Sequence, residues 1–116
     1  KMHFKLIMTL IEDDKTDDVL QAAREAGATG ATVINHARGE GLKQAKTFLG
    51  LNLVTQRDMV LLLVEEHMSR EILETIEVVG EFHKPGSGIA FQLDVEDVVG
   101  NNPQIKQLSN FLGDKL

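Results

Sequence analysis

Apolar and polar positions alternate from the start of the chain. In "HFKLIMTLI", residues 3–11, Phe4, Leu6, Met8 and Leu10 share one side while Lys5, Ile7 and Thr9 share the other, which predicts a strand buried on the Phe4 side. The period then changes. "DDKTDDVLQAAREAG" carries an apolar stripe at Val19, Leu20, Ala23 and Ala26, an Asp-rich start suited to capping and to the helix dipole, and Gly27 as a C-cap, so it predicts an amphipathic helix. "GATVINHA" predicts a second strand from about Ala31 to His36, and residues 37–51, polar and punctuated by glycine, a long connection. The unbroken apolar run Met59 to Val64 predicts a central strand covered on both faces. A second helix follows, with Ser69 as N-cap, Ile72, Leu73, Ile76 and Val79 as its buried stripe and Gly80 as terminator. In the last strand Ile89, Phe91, Leu93 and Val95 point one way, and Gln92, Asp94 and Glu96 the other.

The order strand, helix, strand, strand, helix, strand predicts an α+β fold: a ferredoxin-like βαββαβ sandwich with a four-stranded antiparallel sheet and both helices on one face. It spans residues 3–99. Residues 100–116 form a C-terminal extension in which Asn102, Pro103, Ile105, Leu108 and Leu112 predict a short helix. Helices on one face leave the other bare, yet the third strand is apolar on both sides and the first carries Ile7 and Ile11 opposite the Phe4 face. Burying that second face predicts association through the sheets.

Composition narrows the functions. A chain of 116 residues, 42% hydrophobic and 26% charged, is one soluble globular domain. The absence of cysteine excludes thiol catalysis and thiolate metal sites. A formal charge of −6, with neither Tyr nor Trp, argues against a nucleic-acid partner. No apolar run approaches the roughly 20 residues that span a bilayer. The N-terminus has no cleavage site, so a cytoplasmic protein is expected.

Two stretches could hold an anion. In "ARGEGLKQAK", Arg38, Lys43 and Lys46 surround Gly39 and Gly41, a local positive region on an acidic chain; a plain solvated connection explains the same residues. In "KPGSG", residues 84–88, the N–H groups of small residues can form an anion nest beside Lys84; a tight turn ahead of a strand looks the same. No Walker motif is present. His3, His36, His67 and His83 show no metal-ligand spacing and read as surface or strand-end residues. Glu65, Glu66, Asp13, Asp14, Asp17 and Asp18 fall at helix starts or strand ends, where capping and solubility explain them. No GxSxG occurs, and no enzyme is expected.

Together "KLIMTLIEDDKTDDVLQAAREAGATGATVINHARGEG", the apolar third strand and "GSGIAFQLDVED" resemble the P-II family of nitrogen regulatory signalling proteins, from about Phe4 to Val98. The resemblance implies a homotrimer that binds an adenine nucleotide (ADP, AMP or ATP), with no metal, in clefts between subunits. It implies an allosteric regulator that acts through loop 37–51 on a target protein, with a membrane transporter as one candidate. It points to Gly30, Ala31 and Thr32 around the adenine, to Leu63 as a further cofactor-binding residue, to Gly39 and Gly41 with Arg38 and Lys43 at the phosphates, and to Lys84, Gly86, Ser87 and Gly88 wrapping them. The chain departs from the family in a much shortened loop without its tyrosine, in Ile89 where the family has lysine, and in lacking the arginines after the last strand. Those losses imply weaker triphosphate binding. Two alternatives stand beside this reading: a trimeric module of the divalent-cation tolerance type, and a ligand-free structural assembly module.

Overall fold

The computed structural model describes residues 2–37, 47–48, 51–52 and 57–100. Its elements are β1 (Phe4–Glu12), a 3-10 turn (Asp13–Lys15), α1 (Thr16–Glu25), β2 (Thr32–Ala37), β3 (Thr47–Phe48), β4 (Leu51–Asn52), β5 (Arg57–Glu65), α2 (Glu66–Val79) and β6 (Gly88–Val95). β2, β5, β1 and β6 form one antiparallel sheet in that order, and β3 pairs with β4 in a separate two-residue ladder. The predicted ferredoxin-like fold is therefore present. The expected C-terminal helix at 102–112 lies outside the described residues.

The core lies between the helices and one sheet face. Ile7 and Ile11 of β1, and Val60, Leu62 and Val64 of β5, are buried against Val19 and Ala23 of α1 and Ile72 and Ile76 of α2. This corrects the expected polarity of β1: the Ile7–Thr9–Ile11 side faces the helices, and the Phe4–Leu6–Met8–Leu10 side faces away, only half-buried. Both sides of β1 are apolar, so alternation locates the strand but cannot say which side meets the helices; packing on Val60 and Leu62 decides it. On the outer face, Leu6 lies between Leu63 and Leu93, Met8 between Leu61 and Phe91, and Leu10 between Met59 and Ile89. This layer crosses three strands, and among the described residues no helix covers it. β5 is thus central in the sheet but, in a single chain, buried on one face only.

Helix ends also differ from expectation. α1 has no side-chain cap; Asp17 and Asp18 lie in its first turn, where they favour the dipole, and Thr16 Oγ1 instead donates to the buried Asp58 carboxylate at 2.6 Å. Ser69 is not the N-cap of α2: it lies within the helix, its Oγ donating to the Glu66 carbonyl at 2.9 Å. The cap is Glu65, whose buried carboxylate accepts from the His67 N–H and bonds the His67 ring at Nδ1, both at 2.6 Å. That hydrogen bond raises the His67 pKa above its usual value. A buried glutamate at the last strand residue reaches the free N–H groups just as serine would, which is why the helix starts four residues earlier than the serine suggested.

Phe82, in the α2–β6 connection, packs where two glycines leave room. A Cβ on Gly88 would sit 2.5 Å from the Phe82 ring and 2.8 Å from the Leu10 carbonyl oxygen, and the latter is backbone that cannot yield. Gly88→Ala is expected to lower stability by about 1–3 kcal/mol in urea unfolding, the usual cost of overpacking; an unchanged midpoint would contradict this packing.

Candidate functional site

Chain reversal after α2 builds the first candidate segment. The Glu81 N–H donates to Val78 and the Phe82 N–H to Glu77, a Schellman ending in which Glu81 takes the left-handed position with φ 57°. The chain then turns through Lys84 to Gly86, where φ is 76°, the Ser87 N–H donating to the Lys84 carbonyl at 3.2 Å and Ser87 Oγ to the Glu81 carbonyl at 2.8 Å. Arg57, at the start of β5, clamps this loop from beneath: its guanidinium donates to the carbonyls of Gly86 at 2.6 Å and Ser87 at 3.2 Å. Peptides are trans, so drawing those carbonyls toward Arg57 turns the N–H groups of Ser87 and Gly88 the opposite way. Arg57 is only 4% exposed, and its Nε has no hydrogen-bond partner.

Lys84 does not reach over the loop. Its Nζ bonds Glu81 Oε2 at 3.0 Å, and Lys15, from the 3-10 turn before α1, bonds the same oxygen at 2.6 Å. The two lysines hold the Glu81 carboxyl down to about 2, and Glu81 in turn raises Lys15 above the usual lysine range.

The second segment is the turn into β2. α1 also ends in a Schellman motif, with Gly27 at φ 119° and the Ala28 N–H on the Ala23 carbonyl, which aims residues 28–31 along the sheet edge. Thr32 then pairs with Leu61, so Gly30 to Thr32 run beside β5 at the level of Leu61 to Leu63. A concave cleft of about 300 Å³ opens here, its floor formed by Leu20, Ala23 and Leu62 and its rim by Arg24 and Thr29 to Ala31. It contains two of the residues expected around an adenine, Gly30 and Ala31. Leu63, one position along β5 from Leu62, lies on the other face of the sheet.

Within one chain these two segments do not meet. β2 and β6 are opposite edges of the sheet, about 14 Å apart at three strand spacings, and Gly88 sits at the level of Ile11 while Gly30 lies toward Leu6, about 17 Å further along. Arg38, Gly39, Gly41 and Lys43 lie outside the described residues. Their entry point is described: β2 bulges between Ile34 and Ala37, His36 there adopts φ 63°, and Ala37 pairs with Arg57. Arg57 therefore joins the base of the 37–51 connection to the 84–88 loop. Neither Arg57 nor Glu81 was singled out by sequence. The only signal for Arg57 is a cation directly ahead of the apolar run of β5, and Glu81 after a helix-ending glycine reads as surface. All four histidines are exposed, and among the described residues no three His, Asp or Glu side chains converge as a metal site. No described helix is long and apolar enough to cross a membrane.

A βαββαβ sheet with an open apolar face, a glycine-rich loop at one edge and a cleft at the other places the chain in the ferredoxin-like α+β class. The model of the nitrogen regulatory protein P-II family matches residues 4–103, and the chain belongs to that family, whose members are regulators rather than enzymes. Similar solved structures include CPII from Thiomonas intermedia K12 bound to ADP, AMP and acetate, 21% identical, with a TM-score of 0.64 over 85% of this chain and 93% of that one. The apo form of the same CPII, a nitrogen regulatory PII-like protein, is 21% identical with a TM-score of 0.63 over 82% and 92%. A PII-like signalling protein from Thermus thermophilus is 22% identical, with a TM-score of 0.58 over 80% and 86%. At these identities the likeness is one of fold. Comparison with curated proteins gives no match.

Proposed function

We propose that this chain is a P-II-like regulatory signalling protein: a cytoplasmic homotrimer that binds an adenine nucleotide between subunits and reports it to a target protein, with a membrane transporter as one candidate, through residues 37–51. The observation that carries this reading is the open sheet face. Its apolar layer from Met59 across Met8 to Phe91 stays half-buried or exposed in a single chain, and three such faces packed together would bury it.

Association also resolves the separation of the two candidate segments, because the 84–88 loop of one subunit can meet the 30–32 turn of its neighbour. On this reading Gly30, Ala31 and Thr32 hold the adenine, with Leu63 as a further contact to the nucleotide. Arg38, Gly39, Gly41 and Lys43 from one subunit, and Lys84, Gly86, Ser87 and Gly88 from the next, surround the phosphates. That CPII, of the same fold, is bound to ADP and AMP supports the ligand class. Ile89 is apolar and no arginine follows Val98, so a mono- or diphosphate suits the site better than a triphosphate. Because Ala37 pairs with Arg57 and Arg57 holds the 84–88 loop, occupancy there would bias the base of the 37–51 connection, and a few kcal/mol of differential affinity suffices to shift such a segment.

Isothermal calorimetry with ATP, ADP, AMP and cyclic AMP tests the proposal. One nucleotide per subunit is expected, with ADP or AMP at least as tight as ATP. Clearly tightest binding of ATP would overturn the ligand preference, and no heat from any of the four would overturn the nucleotide reading.

A further inference from the structure

The two helices end in the same motif with different residues at its left-handed position. α1 uses Gly27, which adopts positive φ without strain, whereas α2 uses Glu81 at φ 57°, where a side chain is disfavoured. A helix stop does not need a carboxylate, so the strain at Glu81 points to its side chain. That side chain places one oxygen, Oε2, between two ammonium groups, Lys15 Nζ at 2.6 Å and Lys84 Nζ at 3.0 Å. The lysines come from distant parts of the chain, one before α1 and one in the 84–88 loop. Two cations this close repel each other unless an anion lies between them. The carboxyl stays ionised down to about pH 2, so it occupies that position throughout the physiological range. The loop is tied to the same residue, since Ser87 Oγ donates to the Glu81 carbonyl at 2.8 Å.

We propose that Glu81 is a tethered competitor for the phosphate of the ligand: it assembles Lys15 and Lys84 into a two-lysine anion receptor and fills that receptor until a phosphate oxygen displaces the carboxylate. This rests on the proposed nucleotide reading for the identity of the ligand, but the receptor itself would take any phosphate or pyrophosphate group. Glu81 then sets phosphate affinity through the exchange of one anion for another. Lys15, which belongs to none of the segments implicated by sequence, becomes a ligand residue. A weakly charged anion cannot displace the carboxylate, so the device also selects for phosphate charge.

Glu81→Gln removes the charge at nearly constant shape, and Glu81→Gly removes the side chain while relieving the left-handed backbone, so at least one variant keeps the fold. Calorimetry with inorganic pyrophosphate, ADP and adenosine reads the effect. In both variants pyrophosphate and ADP are expected to bind roughly 2- to 5-fold tighter than to the parent chain, the scale of one partly exposed ion pair. Adenosine, which lacks phosphate, should not change. Adding Lys15→Met to Glu81→Gln should abolish the gain, which a merely structural role for Glu81 would not require. Tighter pyrophosphate binding without any ADP binding would uphold the receptor and overturn the nucleotide reading. Unchanged or weaker binding of both pyrophosphate and ADP in the folded variants would overturn the proposal.

Discussion

Met8→Asp is expected to yield a folded monomer. Met8 lies at the centre of the outer sheet face, between Leu61 on β5 and Phe91 on β6, with Leu6 and Leu10 on either side along β1. In an isolated chain that position meets water, so a carboxylate there is solvated and costs only the lower strand propensity of aspartate, about 1 kcal/mol or less. In an assembly closed through this face the same carboxylate is buried without a partner. That costs about 3–5 kcal/mol per subunit, enough to shift an association constant by several powers of ten. Sedimentation velocity at micromolar concentration should give about three times the 12.8 kDa chain mass for the parent protein and the single-chain mass for the variant, with the circular dichroism of the two alike. Leu93→Glu, on the edge strand β6 where the side chain is already 49% exposed, should act in the same direction. A variant that stays trimeric, or a parent that is monomeric, would remove the open face as the basis of assembly.

Arg57→Ala carries the second large effect. The guanidinium is buried, and two of its nitrogens bond the carbonyls of Gly86 and Ser87. Charge-assisted hydrogen bonds of this kind contribute about 1.5–3 kcal/mol each, and removing the donor leaves two carbonyls in a part-buried loop. A net loss of about 2–4 kcal/mol in urea unfolding is expected, together with faster hydrogen exchange at residues 84–88. Arg57→Lys should recover less than half, because an ammonium cannot span two adjacent carbonyls as a planar fork does. Since the backbone of Arg57 also pairs with Ala37, the loss should extend to the start of the 37–51 connection. Exchange rates that change only at residues 84–88 would show that the two segments are not coupled through this residue.

Much of the fold was legible because its signals are local. The 3.6-residue stripe of Ile72, Ile76 and Val79 and the alternation of Ile89, Phe91 and Leu93 each require only neighbouring residues, and a helix and a strand form around them, although α2 begins ahead of its expected cap. The second strand begins one residue later than its pattern indicates, at Thr32, because Gly30 and Ala31 belong to the turn that follows the Schellman ending of α1. Glu65 caps α2 from the strand end, one of the roles its position suggests, while Ser69 lies inside the helix although serine caps helices more often than glutamate does. The site was less legible. Its glycine loop announced itself through composition, but the residues that hold that loop, Arg57 and Glu81, come from a strand start and a helix end, and nothing near them in sequence indicates the contact.

By itself the sequence determined the order of the elements, the class of fold and the existence of two apolar sheet faces, because periodicity and turn chemistry act over a few residues. Only the tertiary structure decided which face of β1 meets the helices, since Ile7 and Ile11 compete with Leu6, Met8 and Leu10 on equal hydrophobic terms and the packing of Val60, Leu62, Ile72 and Ile76 settles the choice. It also decided where the charges of the loop go. An ion pair between Lys15 and Glu81 joins residues far apart in the chain, and electrostatic attraction depends on distance in space, which no spacing along the sequence records.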